Sequence, residues 1–316
     1  MIINTGQRTD IPAFYSTWFY NRIREGYVLV RNPYNPEMVT RYELRPDVVD
    51  LIAFCSKNSA PMLDRIDELS AFRVLFQVTI TPYGREIEPH VPPMDEVIDT
   101  VLELCRKIGG EHVMVRYDPI FVSDTYPVER HIEAFRHLCA RLEGHVSRVV
   151  ISFLDLYEKT RKNFPEGRTV SEQDRLRIGE AFGAIGKEFH MHLYTCLEGT
   201  DLVPFGFDAS GCMTKELIED VFQEELVIPG SARPKAREGC NCLLGADIGA
   251  YNTCCHGCRY CYATEEPALA RENFRRHDPA SPMPIGHLTP QDRVHEAKQQ
   301  KWFTGQYRLF PGGSSF

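Results

Sequence analysis

The feature that most constrains this chain is an alternation of strand-like and helix-like segments running from its start to about residue 225. Ile2 to Asn4 reads as a short strand, and Pro12 to Glu25 as a helix with Phe14, Trp18 and Tyr20 on one face. Tyr27 to Val30 and Val39 to Leu44 read as a small hairpin around Asn32, Pro33, Asn35 and Pro36. The apolar run Val49 to Cys55 precedes a helical Pro61 to Leu69; the strand Val74 to Thr81 precedes an amphipathic helix, Met94 to Ile108, stopped by Gly109 and Gly110. His112 to Tyr117 and Val128 to Leu142 repeat the pair. So do Arg148 to Leu154 with Ser171 to Lys187, where Ser171 is the expected N-cap, and Phe189 to Thr195 with Lys215 to Glu224. Roughly six βα units result, which implies parallel strands with crossover helices. The expected fold class is α/β, a full or partial parallel β/α barrel. A doubly wound open sheet is the competing arrangement, disfavoured because no glycine-rich phosphate loop follows the first strand.

After this series the character changes. Pro229 to Gly239 reads as a linker, so the expected organisation is a barrel domain over 1–228, a linker over 229–239 and a cysteine-rich segment over 240–316 packed on the barrel mouth. Pro267 to Phe274 carries the only helical periodicity in that segment, and the tail from Ser281 to Phe316 reads as irregular. No run approaches the roughly 20 apolar residues of a membrane helix, and Met1-Ile2-Ile3-Asn4 does not resemble a leader, so a cytoplasmic protein is expected. The net charge of -8 opposes nucleic acid as a partner.

A reducing compartment disfavours disulfides, so the 11 cysteines need another explanation. Cys55, Cys105, Cys139, Cys196 and Cys212 are scattered through apolar segments and read as small core residues. Cys240, Cys242, Cys254, Cys255, Cys258 and Cys261 crowd one stretch, the pattern of a metal site. Cys254, Cys258 and Cys261 have C-x3-C-x2-C spacing, which can aim three thiolates at three corners of one cubane and leave the fourth iron open. Cys240 and Cys242 are possible additional ligands, to a second metal or to the main cluster. Zinc remains the alternative metal, since two close cysteine pairs also suit it. Cys255 is expected to point elsewhere.

The string Thr253-Cys254-Cys255-His256-Gly257-Cys258-Arg259-Tyr260-Cys261-Tyr262-Ala263 resembles the radical S-adenosylmethionine signature, with an aromatic before the third cysteine. It is especially similar to the spore photoproduct lyase group. A longer pattern resembles the bacterial family called domain of unknown function 1848. It includes Arg8-Thr9-Asp10-Ile11-Pro12-Ala13-Phe14, Arg116-Tyr117-Asp118-Pro119-Ile120, Ile151-Ser152-Phe153-Leu154-Asp155 and Asp247-Ile248-Gly249-Ala250-Tyr251. The radical-enzyme resemblance implies a [4Fe-4S] cluster, S-adenosylmethionine as cofactor, and an electron donor such as flavodoxin or ferredoxin. In those enzymes the cysteine loop follows the first strand; here it follows the sixth βα unit. A circularly rearranged barrel would still place the loop at the C-terminal mouth of the strands; otherwise the metal is structural and the barrel binds a small molecule without radical chemistry.

Parallel barrels place chemistry at the C-terminal ends of their strands. Asp10, Arg116, Asp118, Asp155 and Glu198 are the candidates there for work on a small-molecule substrate. Arg8, Lys57 and Thr79, with Tyr260 of the cysteine loop, are the candidates for holding a nucleotide cofactor. The bland readings are ion pairs of Arg8 with Asp10 and of Arg116 with Asp118, and carboxylates that cap helices. His190 and His192 are expected to alternate along a strand, His256 to hydrogen-bond a thiolate, and His277 and Asp278 to sit in a turn that can close over the cluster.

Overall fold

The strands and helices follow one another in a computed structural model that describes residues 1–230 and 240–307. In chain order they begin with β1 (Ile2–Asn4), α1 (Ile11–Phe14), α2 (Ser16–Glu25), β2 (Tyr27–Arg31), β3 (Met38–Glu43) and β4 (Leu51–Ser56). A 3-10 helix (Ala60–Leu69), β5 (Val74–Thr79), α3 (Met94–Ile108), β6 (Val113–Ile120), α4 (Val128–Leu142) and β7 (Arg148–Phe153) come next. Then follow α5 (Glu158–Asn163), α6 (Glu172–Glu188), β8 (His192–Thr195), β9 (Phe207–Asp208), α7 (Lys215–Phe222) and β10 (Glu224–Leu226). The C-terminal part holds β11 (Ala246–Asp247), α8 (Pro267–Arg275), β12 (Arg293–Glu296) and β13 (Phe303–Tyr307).

Eight strands form one parallel sheet in the order β11-β1-β4-β5-β6-β7-β8-β9. Each strand after β1 is added on the same side as the last, and only β11 returns to the other flank of β1. This α/β sheet is compatible with a partial barrel and with an open, Rossmann-like sheet.

The sheet is buried on both faces, as parallel sheets must be. Because side chains alternate, Ile3, Ile52, Phe54, Phe76, Val115 and Ile151 face one core, which also takes the apolar stripes of α3, α4 and α6. There Phe135 and Phe182 stack with ring centroids 3.8 Å apart, each burial worth about 1.5–3 kcal/mol. Ile2, Leu51, Ala53, Leu75, Met114 and Val150 face a second core, covered by Leu217, Ile218 and Val221 of α7 and by Leu226, Trp302 and Phe303.

The strongest periodic patterns became the elements expected. In α3 the buried stripe Val97, Ile98, Val101, Leu104 and Cys105 ends at Gly109, whose φ of 89° suits glycine. Ser171 caps α6 by accepting from the Asp174 N–H at 3.1 Å. The expected helix over Pro12 to Glu25 is instead two, α1 and α2, broken at Tyr15 (φ -128°). His190 precedes β8 with a φ of 55°, so the expected alternation with His192 does not occur; His192 opens the strand and is exposed. The expected linker lies mostly outside the described residues. The tail is more ordered than expected: β12 pairs parallel with β3 of the β2–β3 hairpin, and β13 pairs antiparallel with β10. Among the described residues no helix is long and apolar enough to cross a membrane.

Candidate metal centre at the cysteine loop

The cysteine loop follows β11 after the short stretch 248–252; β11 itself lies at the flank of β1. Its backbone is pinned from three sides. The Tyr15 hydroxyl donates to the Thr253 carbonyl at 2.7 Å, from the residue at which α1 and α2 are broken. The His90 N–H donates to the His256 carbonyl at 3.1 Å, and the Arg259 N–H to the Ile87 carbonyl at 3.0 Å. Gly257, at φ 72°, turns the chain between Cys254 and Cys258, a conformation that favours glycine.

Cys254, Cys258 and Cys261 share one electrostatic field. Burial pushes the Cys254 thiol well above its ordinary value, and negative charge on Asp10, Cys261 and Cys258 pushes it further. Burial also raises Cys258, with Glu88 and Cys261 adding to the rise and Lys57 opposing it. A cation ligated among these sulfurs would hold them as thiolates against that burial. Cys255 sits differently, its sulfur 3.9 Å from the Thr253 carbonyl and 3.8 Å from that of Ala270. Tyr262 exposes 44% of its surface, yet burial raises its phenol, beside Cys55 and Cys261.

Two polar networks support the loop. In the first, Asp10 accepts from the Ser56 hydroxyl at 2.7 Å, the Lys57 N–H at 2.8 Å and the Ala13 N–H at 3.0 Å, and lies 2.9 Å from His256 Nε2. His256 thus reaches a carboxylate rather than a thiol. In the second, Glu88 is buried, pairs with the Lys57 ammonium at 2.9 Å, and accepts from the Thr81 and Tyr260 hydroxyls. The Lys57 ammonium also lies 5.6 Å from the centre of the Tyr260 ring. Glu88 was not among the sequence candidates. It lies in an irregular stretch between β5 and α3, with no periodicity to mark it.

The remaining candidates are spread along the same edge. Arg8 pairs with Asp247 of β11 at 2.8 Å rather than with Asp10. Arg116 donates from Nε to Asp118 at 2.9 Å and from a terminal nitrogen to Gln77 at 3.1 Å, so that ion pair forms as expected. Thr79 is the register partner of Arg116. Glu198 accepts from the Phe153 N–H and from Arg175, at 2.8 and 2.9 Å; burial outweighs both contacts and lifts its carboxyl to about 7. Asp155 is exposed and accepts from the Tyr157 hydroxyl at 3.2 Å. His277 Nδ1 lies 2.7 Å from the Pro284 carbonyl. Asp278 lies in the turn that follows, where its carboxylate accepts from the Ala280 N–H at 2.9 Å.

A second group of sulfurs lies on the other core of the sheet. Cys212 Sγ is 3.7 Å from Cys196 Sγ and 3.6 Å from Cys242 Sγ. Hydrogen bonds from the two neighbours hold the Cys212 thiol well below its ordinary value. Cys242 therefore lies with Cys212, and Cys196 and Cys212 are more than isolated core residues.

Among the described residues, no three histidine, cysteine or acidic side chains already surround a point that a single ion would occupy. Sulfurs that hold a cubane bind separate irons and stand farther apart than ligands of one ion. Surface hollows beside α8 and beside the 3-10 helix are lined by none of these cysteines. A family model described as Domain of unknown function (DUF1848) matches residues 2–263. The chain belongs to that family. The DUF1848 match takes in the sheet through β11 and ends just past Cys261, so every cysteine discussed above lies within it. No curated protein and no solved structure matches the chain.

Proposed function

We propose that Cys254, Cys258 and Cys261 hold a [4Fe-4S] cluster at the mouth of a partial β/α barrel, in an enzyme of the radical S-adenosylmethionine type acting on a small molecule. The observation that carries this reading is the position of β11. It adds to the flank of β1, parallel to it, and ends at Asp247, a short turn-bearing stretch before the cysteine loop opens at Thr253. Counted in space from β11, the cysteine loop follows the first strand and the other strands succeed it in order. The loop's late position in the sequence is then a circular rearrangement of the radical-enzyme plan.

A cluster held there, with one iron free of protein ligands, would supply one-electron reduction of bound S-adenosylmethionine, fed by a flavodoxin or ferredoxin. The chain's own residues prepare the surroundings. Asp10 fixes the loop through His256, and the Glu88, Lys57 and Tyr260 network closes its inner side against water. Thr79 and Asp118 share one face of the sheet with Arg116, which Asp118 and Gln77 hold in place, and offer hydrogen bonds to a polar substrate. Glu198, half protonated near neutral pH, can hold or release a proton at its carboxyl.

Anaerobic reconstitution with iron and sulfide tests the proposal. The expected result is a brown protein with about four irons per chain, whose reduced spectrum changes on adding S-adenosylmethionine and which releases 5′-deoxyadenosine. A protein that takes up no iron, or holds zinc in the same three cysteines, would refute it.

A further inference from the structure

We propose that Cys196, Cys212 and Cys242, with Cys240 as the fourth ligand, form a second metal site that takes a single thiophilic divalent ion, zinc in the cell. This site is separate from the cysteine loop and does not depend on the reading given for it.

The geometry comes from three distant parts of the chain. Cys196 follows β8, and its N–H donates to the Ile151 carbonyl at 3.2 Å. Cys212 follows β9, and its carbonyl accepts from the Gln77 amide at 2.8 Å. Cys242 precedes β11, and the next residue, Leu243, donates to the Met213 carbonyl at 2.8 Å. These contacts fix all three backbones around the pair of sulfur distances, 3.7 and 3.6 Å. Zinc–thiolate bonds of about 2.3 Å at tetrahedral angles separate their sulfurs by about 3.8 Å. The observed spacing is that of a tetrahedron edge and far from a disulfide, whose sulfurs lie about 2.05 Å apart.

The surroundings are built for charge. Gly211 makes room for the approach: a Cβ there would lie 3.0 Å from the Cys242 sulfur. Arg116 faces Cys212, Cys196 and Cys55, and its guanidinium would balance the excess negative charge of several thiolates on one divalent ion. Gln77 joins Arg116 to the Cys212 backbone, so the counter-charge and the ligand are held by one side chain. Cys240 packs against the same apolar cluster as the other three, in a C-x-C pair with Cys242. The sulfurs do not yet enclose an ion.

The test uses the full chain and its C254A/C258A/C261A variant, each stripped of metal and titrated with zinc and with cobalt(II). About one ion is expected to remain in the triple variant, with the intense sulfur-to-cobalt absorption of several thiolates. Cys212→Val and Cys242→Ser should each lower zinc affinity at least tenfold. Valine fills the buried position, so unchanged far-UV circular dichroism separates lost ligation from lost folding. In the full chain with only Cys212→Val, the number of bound cobalt ions should fall by one, a readout that stands if the triple variant fails to fold. The proposal is overturned if the triple variant folds and binds neither ion, if Cys212→Val keeps full occupancy, or if iron with sulfide occupies the site instead.

Discussion

Asp10 and His256, 246 positions apart in the chain, meet at 2.9 Å between the carboxylate Oδ2 and the imidazole Nε2. One carboxylate thereby joins the helix cap after β1, the end of β4 and the cysteine loop. Replacing Asp10 by alanine leaves several buried donors without an acceptor, at a cost of about 2–4 kcal/mol. Urea unfolding should show that loss. His256→Ala should cost less, about 1–2 kcal/mol, while lowering iron retention after reconstitution, because the loop loses its anchor.

The four cysteines of the loop should separate by function. Alanine at Cys254, Cys258 or Cys261 removes a thiolate from the shared field and should abolish stable iron uptake. Alanine at Cys255 should leave it intact, because that sulfur lies near the Thr253 and Ala270 carbonyls. Iron and sulfide content per chain after anaerobic reconstitution decides between them, and equal loss in all four variants would contradict the assignment.

What the sequence made legible was the local part. Val128 to Leu142 matches the helix α4 because its apolar stripe is one uninterrupted periodicity, and Cys254 to Cys261 stands out because its ligands lie close in the chain. The break at Tyr15 was not legible: the apolar pattern runs straight through it, and the contact that residue makes, with Thr253, lies 238 positions away in the chain. Glu88 is identified only by the Lys57, Thr81 and Tyr260 contacts that folding brings to it. Cys196 and Cys212 each look like solitary core residues until the sheet brings them to Cys242. The strands β12 and β13 are short and largely exposed, so they lack the apolar alternation that marks a strand in sequence.

The Lys57–Glu88 pair gives an ordering of effects. The ammonium and carboxylate are both buried, 12% and 2% exposed in their side chains. Lys57→Met leaves the Glu88 charge unpaired and should cost about 3–5 kcal/mol. Tyr260→Phe removes one hydroxyl donor but leaves the ammonium and Thr81 in place, and should cost about 1–2 kcal/mol. A double-mutant cycle with Glu88→Gln should show a coupling larger for Lys57 than for Tyr260. The reverse order would mean that the phenol, not the ammonium, chiefly compensates the buried carboxylate.

Glu198 should make stability depend on pH in the opposite sense from an ordinary surface carboxylate. Burial is the main cause of its raised value, about 7 in the folded chain against 4.5 when unfolded. Between those values the folded chain binds more protons than the unfolded one, so protonation favours folding. The benefit is full below pH 4.5 and is lost as pH rises through about 7. Glu198→Gln carries no titrating group and keeps the neutral form at every pH. Relative to the native chain it should gain about 1–3 kcal/mol in unfolding free energy between pH 5 and 8. Urea midpoints measured across that range for both chains give the difference directly. A difference that does not change with pH would mean that Arg175, at 2.9 Å, keeps the carboxylate ionised despite its burial.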